Sequence, residues 1–110
     1  MWKSMDFSNK IIIISGAAKG IGKGIALLYA EKGANVVIAD IDETAGTQTA
    51  DSIEERGGKA LFVKTDVRLE KDIVHLMETA YKTYGRIDIL INNAGISYFK
   101  SPYDLSTEEW

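Results

Sequence analysis

Apolar residues in this chain fall into short β-branched runs separated by stretches of helical spacing. Lys10-Ile11-Ile12-Ile13-Ile14-Ser15 is such a run; it ends at Gly16 and predicts a strand buried on both faces. From Gly20 onward, Ile21, Ile25, Leu28 and Tyr29 recur at helical spacing, and Lys32-Gly33 closes that helix. Asn35 to Ala39 predicts a second buried strand, ending at Asp40. Asp42 is a good N-cap for a helix of roughly Glu43 to Arg56, stopped by Gly57-Gly58, with a thin apolar stripe of Ala45, Ala50 and Ile53. Ala60 to Val63 predicts a third strand that ends near Thr65-Asp66. A third helix, about Glu70 to Tyr84, carries Ile73, Met77, Ala80 and Tyr84 on one face and ends at Gly85. Ile87 to Ile91 predicts a fourth strand, followed by Asn92-Asn93-Ala94-Gly95. Strands alternating with helices imply an α/β parallel sheet with helical crossovers.

The end of the chain adds a different signal. Ser106-Thr107-Glu108-Glu109 is a capping box, and Leu105 and Trp110 flank it as a hydrophobic staple. These residues announce a helix start, and one turn is the costly nucleus without the propagation that repays it. The expectation is a chain cut, or encoded short, inside a longer fold. Met5 is a candidate start, with Met1 to Ser4 as an extension.

Composition narrows the class. The 110 residues are 45% hydrophobic and 26% charged with one proline, enough apolar material for the core of one small domain. A net charge of −3, with the 13 basic residues scattered, argues against nucleic acid as a partner, because phosphate backbones need clustered Lys and Arg. There is no cysteine, so disulfides and thiolate metal sites are excluded, which fits a reducing cytoplasm. His75 is the only histidine and reads as a solvated helix residue; no metal site is expected. No stretch has signal-peptide length, and Ile11 to Ile14 is far too short to cross a bilayer. A soluble, cytoplasmic protein with no membrane partner is expected.

Candidate chemistry lies in Ser15-Gly16-Ala17-Ala18-Lys19-Gly20-Ile21-Gly22, between a strand and a helix. Gly16 suits a tight turn at positive φ, Gly20 lets backbone approach a pyrophosphate, and Gly22 lets helix and strand pack closely. The helix N-terminus then offers N–H groups and partial positive charge to phosphates. A Walker A loop is excluded: the second glycine would fall at Ile21, and Lys23 is followed by Gly24 rather than a hydroxyl residue. The spacing is Gly-x-x-x-Gly-x-Gly instead of Gly-x-Gly-x-x-Gly.

That spacing, with Asn92-Asn93-Ala94-Gly95 after the fourth strand, resembles the short-chain dehydrogenase/reductase family from about Lys10 to Trp110. Ser15 stands where most members have threonine and keeps the hydroxyl. The resemblance implies a Rossmann-type doubly wound sheet of about four strands in order 3-2-1-4, three helices and the start of a fourth. The chain would be the N-terminal part of a single NAD(P)-binding domain. It also implies that Asp66 meets the adenine amino group, supported by the backbone at Val67. The Asn92 to Gly95 segment would hold the sheet and leave room for the adenosine ribose. A methyltransferase also uses a glycine loop and an acid after strand 2, but with different loop spacing and no role for Asn92 to Gly95.

Asp40 lies 18 residues after Gly22, where a carboxylate can hydrogen-bond both ribose hydroxyls of NAD. A 2′-phosphate within ~4 Å of it is repelled by on the order of 4 kcal/mol at an effective dielectric near 20, up to ~10³-fold, before solvent reduces it. Lys19 partly offsets this, since a basic residue before the second glycine often accompanies NADP use in the family. NAD is therefore expected over NADP. The implied cofactor-binding set is Gly16, Ala18, Lys19, Gly20, Ile21, Gly22, Asp40, Ile41, Asp66, Val67, Asn93, Ala94 and Gly95. Ser97, Tyr98 and Phe99 begin a loop on the nicotinamide side or are plain loop residues.

The family's chemistry uses a serine, a tyrosine and a lysine, the last two spaced Tyr-x-x-x-Lys, with a supporting asparagine after the fourth strand. Four residues after Tyr29, Tyr81, Tyr84, Tyr98 and Tyr103 stand Gly33, Gly85, Asp88, Pro102 and Thr107, so none is lysine. No catalytic residue is assigned, and the chain is expected to be inactive alone. The leading expectation is the nucleotide-binding portion of an NAD(P)-dependent oxidoreductase acting on an alcohol or ketone. The alternative is a non-catalytic dinucleotide-binding or interaction module ending near Trp110. In the 3-2-1-4 order the fourth strand is a bare apolar edge, which predicts self-association through it or through downstream-helix surfaces.

Overall fold

Four consecutive isoleucines can be buried together only where a strand is covered on both faces, and Ile11 to Ile14 are all 3% exposed or less. They form β1 (Ile11–Ser15), the first element of a computed structural model that describes residues 6–93. The chain continues through α1 (Gly20–Glu31), β2 (Asn35–Asp40), α2 (Glu43–Glu55), β3 (Lys59–Lys64), α3 (Glu70–Tyr84) and β4 (Ile89–Asn92). The four strands pair in parallel in the order β3-β2-β1-β4. This is the α/β Rossmann-like arrangement expected from the sequence.

The two-residue period of the strands sorts their side chains between two cores. Ile12, Ile14, Val36 and Ile38 face one side with Ala26 of α1 and Ala50 and Ile53 of α2. Ile11, Ile13, Val37, Ala39 and Val63 face the other with Leu76 and Ala80 of α3. Fully burying each of these large side chains is worth roughly 1.5–3 kcal/mol. The helices therefore sandwich the sheet, and its strand ends carry the loops.

Several expectations shift in detail. Ile21 is 78% exposed and lies outside the α1 core; the buried residues of that helix are Gly22 and Ala26. In α3, Leu76 is buried beside Ala80, while Met77 and Tyr84 pack only partly against the core. His75 is exposed, as expected. β4 begins at Ile89 rather than Ile87 because Asp88 binds β1 differently: its carboxylate accepts the Ile11 amide at 2.8 Å and its own amide donates to the Ile11 carbonyl at 2.9 Å. Arg86 donates to the same carboxylate, and these bonds hold the Asp88 carboxyl below its ordinary pKa. The thin stripe of α2 works because Gly46 and Thr49 are buried as well. A side chain on Gly46 would meet the Phe62 ring of β3, with Cδ1 at 2.5 Å and Cζ at 2.9 Å from its Cβ.

Gly46→Ala should accordingly lower stability by about 1–2 kcal/mol, since overpacking exceeds the helix-propensity gain of about 1 kcal/mol. Urea unfolding would measure it. Gly46→Ala with Phe62→Leu should recover part of the loss, and a Gly46→Ala variant as stable as the parent would remove this packing argument.

Candidate functional site

The carboxyl ends of β1 and β2 open beside the glycine loop, the place where open α/β sheets form a crevice. Gly16 and Gly20 hold φ of 67° and 65°, a left-handed backbone that favours glycine. The three glycines serve different constraints. Around Gly20 a side chain would meet nothing within 4 Å, so the backbone there faces open space. At Gly22 a Cβ would run into the Gly16 carbonyl and stand 2.5 Å from the Asn93 side-chain nitrogen. The third glycine thus lets the first turn of α1 sit on the loop itself and on the end of β4.

Ser15 and Asn93 tie that junction together. The Ser15 hydroxyl donates to the Asn92 side-chain oxygen at 2.8 Å and accepts the Asn93 amide at 2.9 Å. The Asn93 side chain donates to the Gly16 carbonyl at 3.4 Å. Either Ser or Thr can make these bonds, since both carry one donor and two lone pairs. Ala94 and Gly95 lie outside the described residues, as do Ser97 to Phe99 and the capping box at Ser106.

The N-terminus of α1 differs from those of the other helices. Lys19 caps it with no side-chain hydrogen bond, and its first turn holds no acid. In α2, Asp42 accepts the Ala45 amide at 3.0 Å, which holds the Asp42 carboxyl below its ordinary pKa, and Glu43 follows in the first turn. In α3, Glu70 and Asp72 occupy the first turn. The leading amides of a helix have no intrahelical partners, and at α1 no carboxylate of its own turn competes for them. Ile21 stands 78% exposed on this turn.

Asp40, at the end of β2, reaches the loop. Its carboxylate accepts the Ala18 amide at 3.1 Å and the Asp42 amide at 2.9 Å. An ionised carboxylate has about four lone-pair sites, so acceptor capacity remains for two more hydroxyls. Lys19 stands 3.5 Å from Asp42 in an exposed ion pair. Asp40 lines a cleft of about 260 Å³ with Gly16, Ile41, Thr65, Asp66, Val67 and Arg68. Five of the expected residues (Gly16, Asp40, Ile41, Asp66 and Val67) therefore share one cleft, while Lys19, Gly20, Ile21 and Gly22 form the adjoining turn.

Asp66 has a partner the sequence reading omitted. Its carboxylate accepts the Arg68 amide and Nε, each at 3.0 Å, and Arg68 Nη2 at 2.9 Å. The Arg68 guanidinium brings the Asp66 carboxyl down to about 2. Among the described residues no cluster of acids and histidines could hold a metal ion, and no helix is long and apolar enough to cross a membrane.

This glycine turn, with an acid at the end of the second strand and Asn-Asn where the fourth ends, sits on a 3-2-1-4 sheet. The model of the short chain dehydrogenase family matches residues 10–110. The chain belongs to the short-chain dehydrogenase family.

An uncharacterised oxidoreductase of Thermotoga maritima is 42% identical over 101 residues, which cover 92% of this chain and 40% of that protein. The chain thus spans about two-fifths of the length of the curated relatives it matches. Among solved structures, hydroxysteroid dehydrogenase from Escherichia coli matches with a TM-score of 0.80 and 36% identity, over 94% of this chain and 44% of that one. A short chain dehydrogenase/reductase from Burkholderia phymatum, solved in complex with NAD, matches with a TM-score of 0.75 and 31% identity, over 78% of this chain and 31% of that one.

In this short-chain dehydrogenase three further residues support the cleft, and pattern reading missed them. Thr49 donates from α2 to the Ala18 carbonyl at 2.8 Å, which fixes the loop from the side. The Thr65 amide donates to the Asp40 carbonyl at 2.9 Å, joining the ends of β2 and β3. Arg68 lines the cleft itself. A hydroxyl at 49 in an otherwise thin helix stripe was a usable signal; for Arg68 there was none.

Gly22→Ala should cost about 1–3 kcal/mol or more, because the atoms it meets include backbone and cannot step aside. Gly24, with nothing within 4 Å of a Cβ, provides the contrast. Gly24→Ala should raise stability by about 0.5–1 kcal/mol. Denaturant midpoints of the two variants moving in the same direction would sink this reading of the turn.

Proposed function

We propose that the cleft and the glycine turn hold the adenosine diphosphate half of NAD. The chain would then supply the dinucleotide-binding share of an oxidoreductase that moves hydride between nicotinamide and an alcohol or ketone. The observation that carries this is the placement of the Asp40 carboxylate on the Ala18 amide, inside a cleft it shares with Gly16. In this reading the α1 N-terminus meets the diphosphate, aided by the helix dipole. The two remaining acceptor sites of Asp40 take the ribose hydroxyls, and Ile41, Asp66 and Val67 surround the base. Ala94 and Gly95 are proposed to flank the ribose.

When bound, the nicotinamide supplies the hydride acceptor or donor. What this chain does is bind and orient. No Tyr-x-x-x-Lys occurs in it, so proton transfer to or from the substrate oxygen is assigned to groups outside these 110 residues. The absence of cysteine suits a cytoplasmic setting.

NAD is preferred over NADP because a 2′-phosphate would enter beside Asp40, with Asp42 close behind. Lys19, the cation that could favour that phosphate, already faces Asp42. Calorimetric titration should show NAD binding tighter than NADP by between tenfold and ~10³-fold. Asp40→Asn should bring the two within about threefold. Tighter binding of NADP by the parent chain would overturn the assignment.

We propose also that the chain self-associates through β4. Among the described residues this strand pairs only with β1, and Leu90 on it is 54% exposed. Sedimentation should show dimers or larger species whose proportion rises with concentration. A monodisperse monomer at high micromolar concentration is the contrary result.

A further inference from the structure

Arg68 lines a cleft that also carries two carboxylates, Asp40 and Asp66, and its side chain, 77% exposed, is hydrogen-bonded along one edge. Its amide and Nε meet one oxygen of Asp66 while Nη2 meets the other, a fork that fixes the guanidinium plane. The turn beneath it is pinned as well. The Asp66 amide donates to the Asp72 carboxylate at 2.9 Å, and the Leu69 amide donates to the Asp66 carbonyl at 2.9 Å. One residue before that turn, Thr65 holds the Asp40 carbonyl, so the turn is indexed to the ribose end of the cleft.

We propose that Arg68 is the platform on which the adenine ring stacks, and that the chief task of Asp66 is to hold that platform flat. The inference rests on the dinucleotide reading above. A guanidinium is planar, delocalised and weakly hydrated, and it stacks on aromatic faces as an ammonium does not. An arginine side chain carries about 2 kcal/mol of rotamer entropy; the bonds to Asp66 hold one edge of the guanidinium and reduce the share that a stacked base must remove. The exposed Ile41 side chain on the same cleft supplies an apolar contact for the base.

The arrangement also limits what Asp66 can do directly. Three of its roughly four acceptor sites face Arg68. At most one remains for an amino group on the base. Recognition should therefore follow the ring face more than the exocyclic amine.

ADP-ribose and its 1,N6-etheno analogue, in which the amino group is blocked and the ring enlarged, separate these alternatives. Calorimetric titration of the full 110-residue chain should give dissociation constants for the two within about threefold. Arg68→Ala should weaken both by about tenfold or more, in the range of base-on-side-chain stacking. Arg68→Lys, which keeps the charge and loses the plane, should resemble Arg68→Ala. Circular dichroism matching the parent confirms that either variant is folded, and Arg68→Lys guards against a fold lost in the alanine variant. Parent-like affinity in Arg68→Lys overturns the proposal in favour of simple charge attraction. A strongly weakened etheno analogue with an unaffected Arg68→Ala returns the base to Asp66. If the parent chain binds ADP-ribose while both Arg68 variants match it, Arg68 fails and the dinucleotide reading stands. No binding by the parent chain removes both.

Discussion

At residue 22 three segments meet with no room for a side chain: the end of β1, the first turn of α1 and the amide of Asn93 after β4. This close approach sets where the axis of α1 points, and so sets where its leading amides lie relative to the sheet. Ser15 and Asn93 reinforce it with hydrogen bonds across the same junction. These bonds tie the start of the glycine loop to the end of β4. Glycine is required at 20 for its backbone angle and at 22 for its lack of bulk, two separate reasons within three residues.

The cleft beside that loop is built from strand ends in register. Asp40 and Lys64 are partners across β2 and β3, and Ser15 pairs with both Ala39 and Asn92. Because the strands are parallel, all of them deliver their C-terminal residues to the same rim. Side chains then join the rim laterally. Asp40 reaches the loop, Thr49 reaches it from α2, and Thr65 reaches back to Asp40. Buried polar groups held this way strengthen one another in a low-dielectric setting. Among the described residues, no buried side-chain polar atom is left without a partner.

Fold legibility followed from pattern strength. The run Ile11 to Ile14 could only be a central strand, and the alternation of runs and helical stripes left one kind of sheet. Asp42 declared the start of α2, and glycine or a glycine pair declared each helix stop. Ile21 keeps the helical period of α1 but stands exposed on its first turn, beyond the face that meets the sheet. Leu76 lies three residues after Ile73 and four before Ala80, on the same face of α3, and is the residue there that packs deepest beside Ala80. β4 was drawn too long because Ile87 extends the β-branched pattern by one alternation, whereas the Asp88 carboxylate binds the Ile11 amide.

For the candidate site, sequence by itself determined the local ingredients: the glycine spacing, the acid ending the second strand, the Asp-Val after the third and the Asn-Asn after the fourth. Each is a short-range property, a backbone angle or a side-chain type at a strand end. Tertiary structure alone decided which of them meet. It placed Asp40 against Ala18 and brought Gly22 onto Asn93. Those outcomes depend on the rotation between parallel strands and on the angle at which α1 leaves the sheet. Both are set by side-chain packing between residues far apart in the chain, which no local pattern encodes.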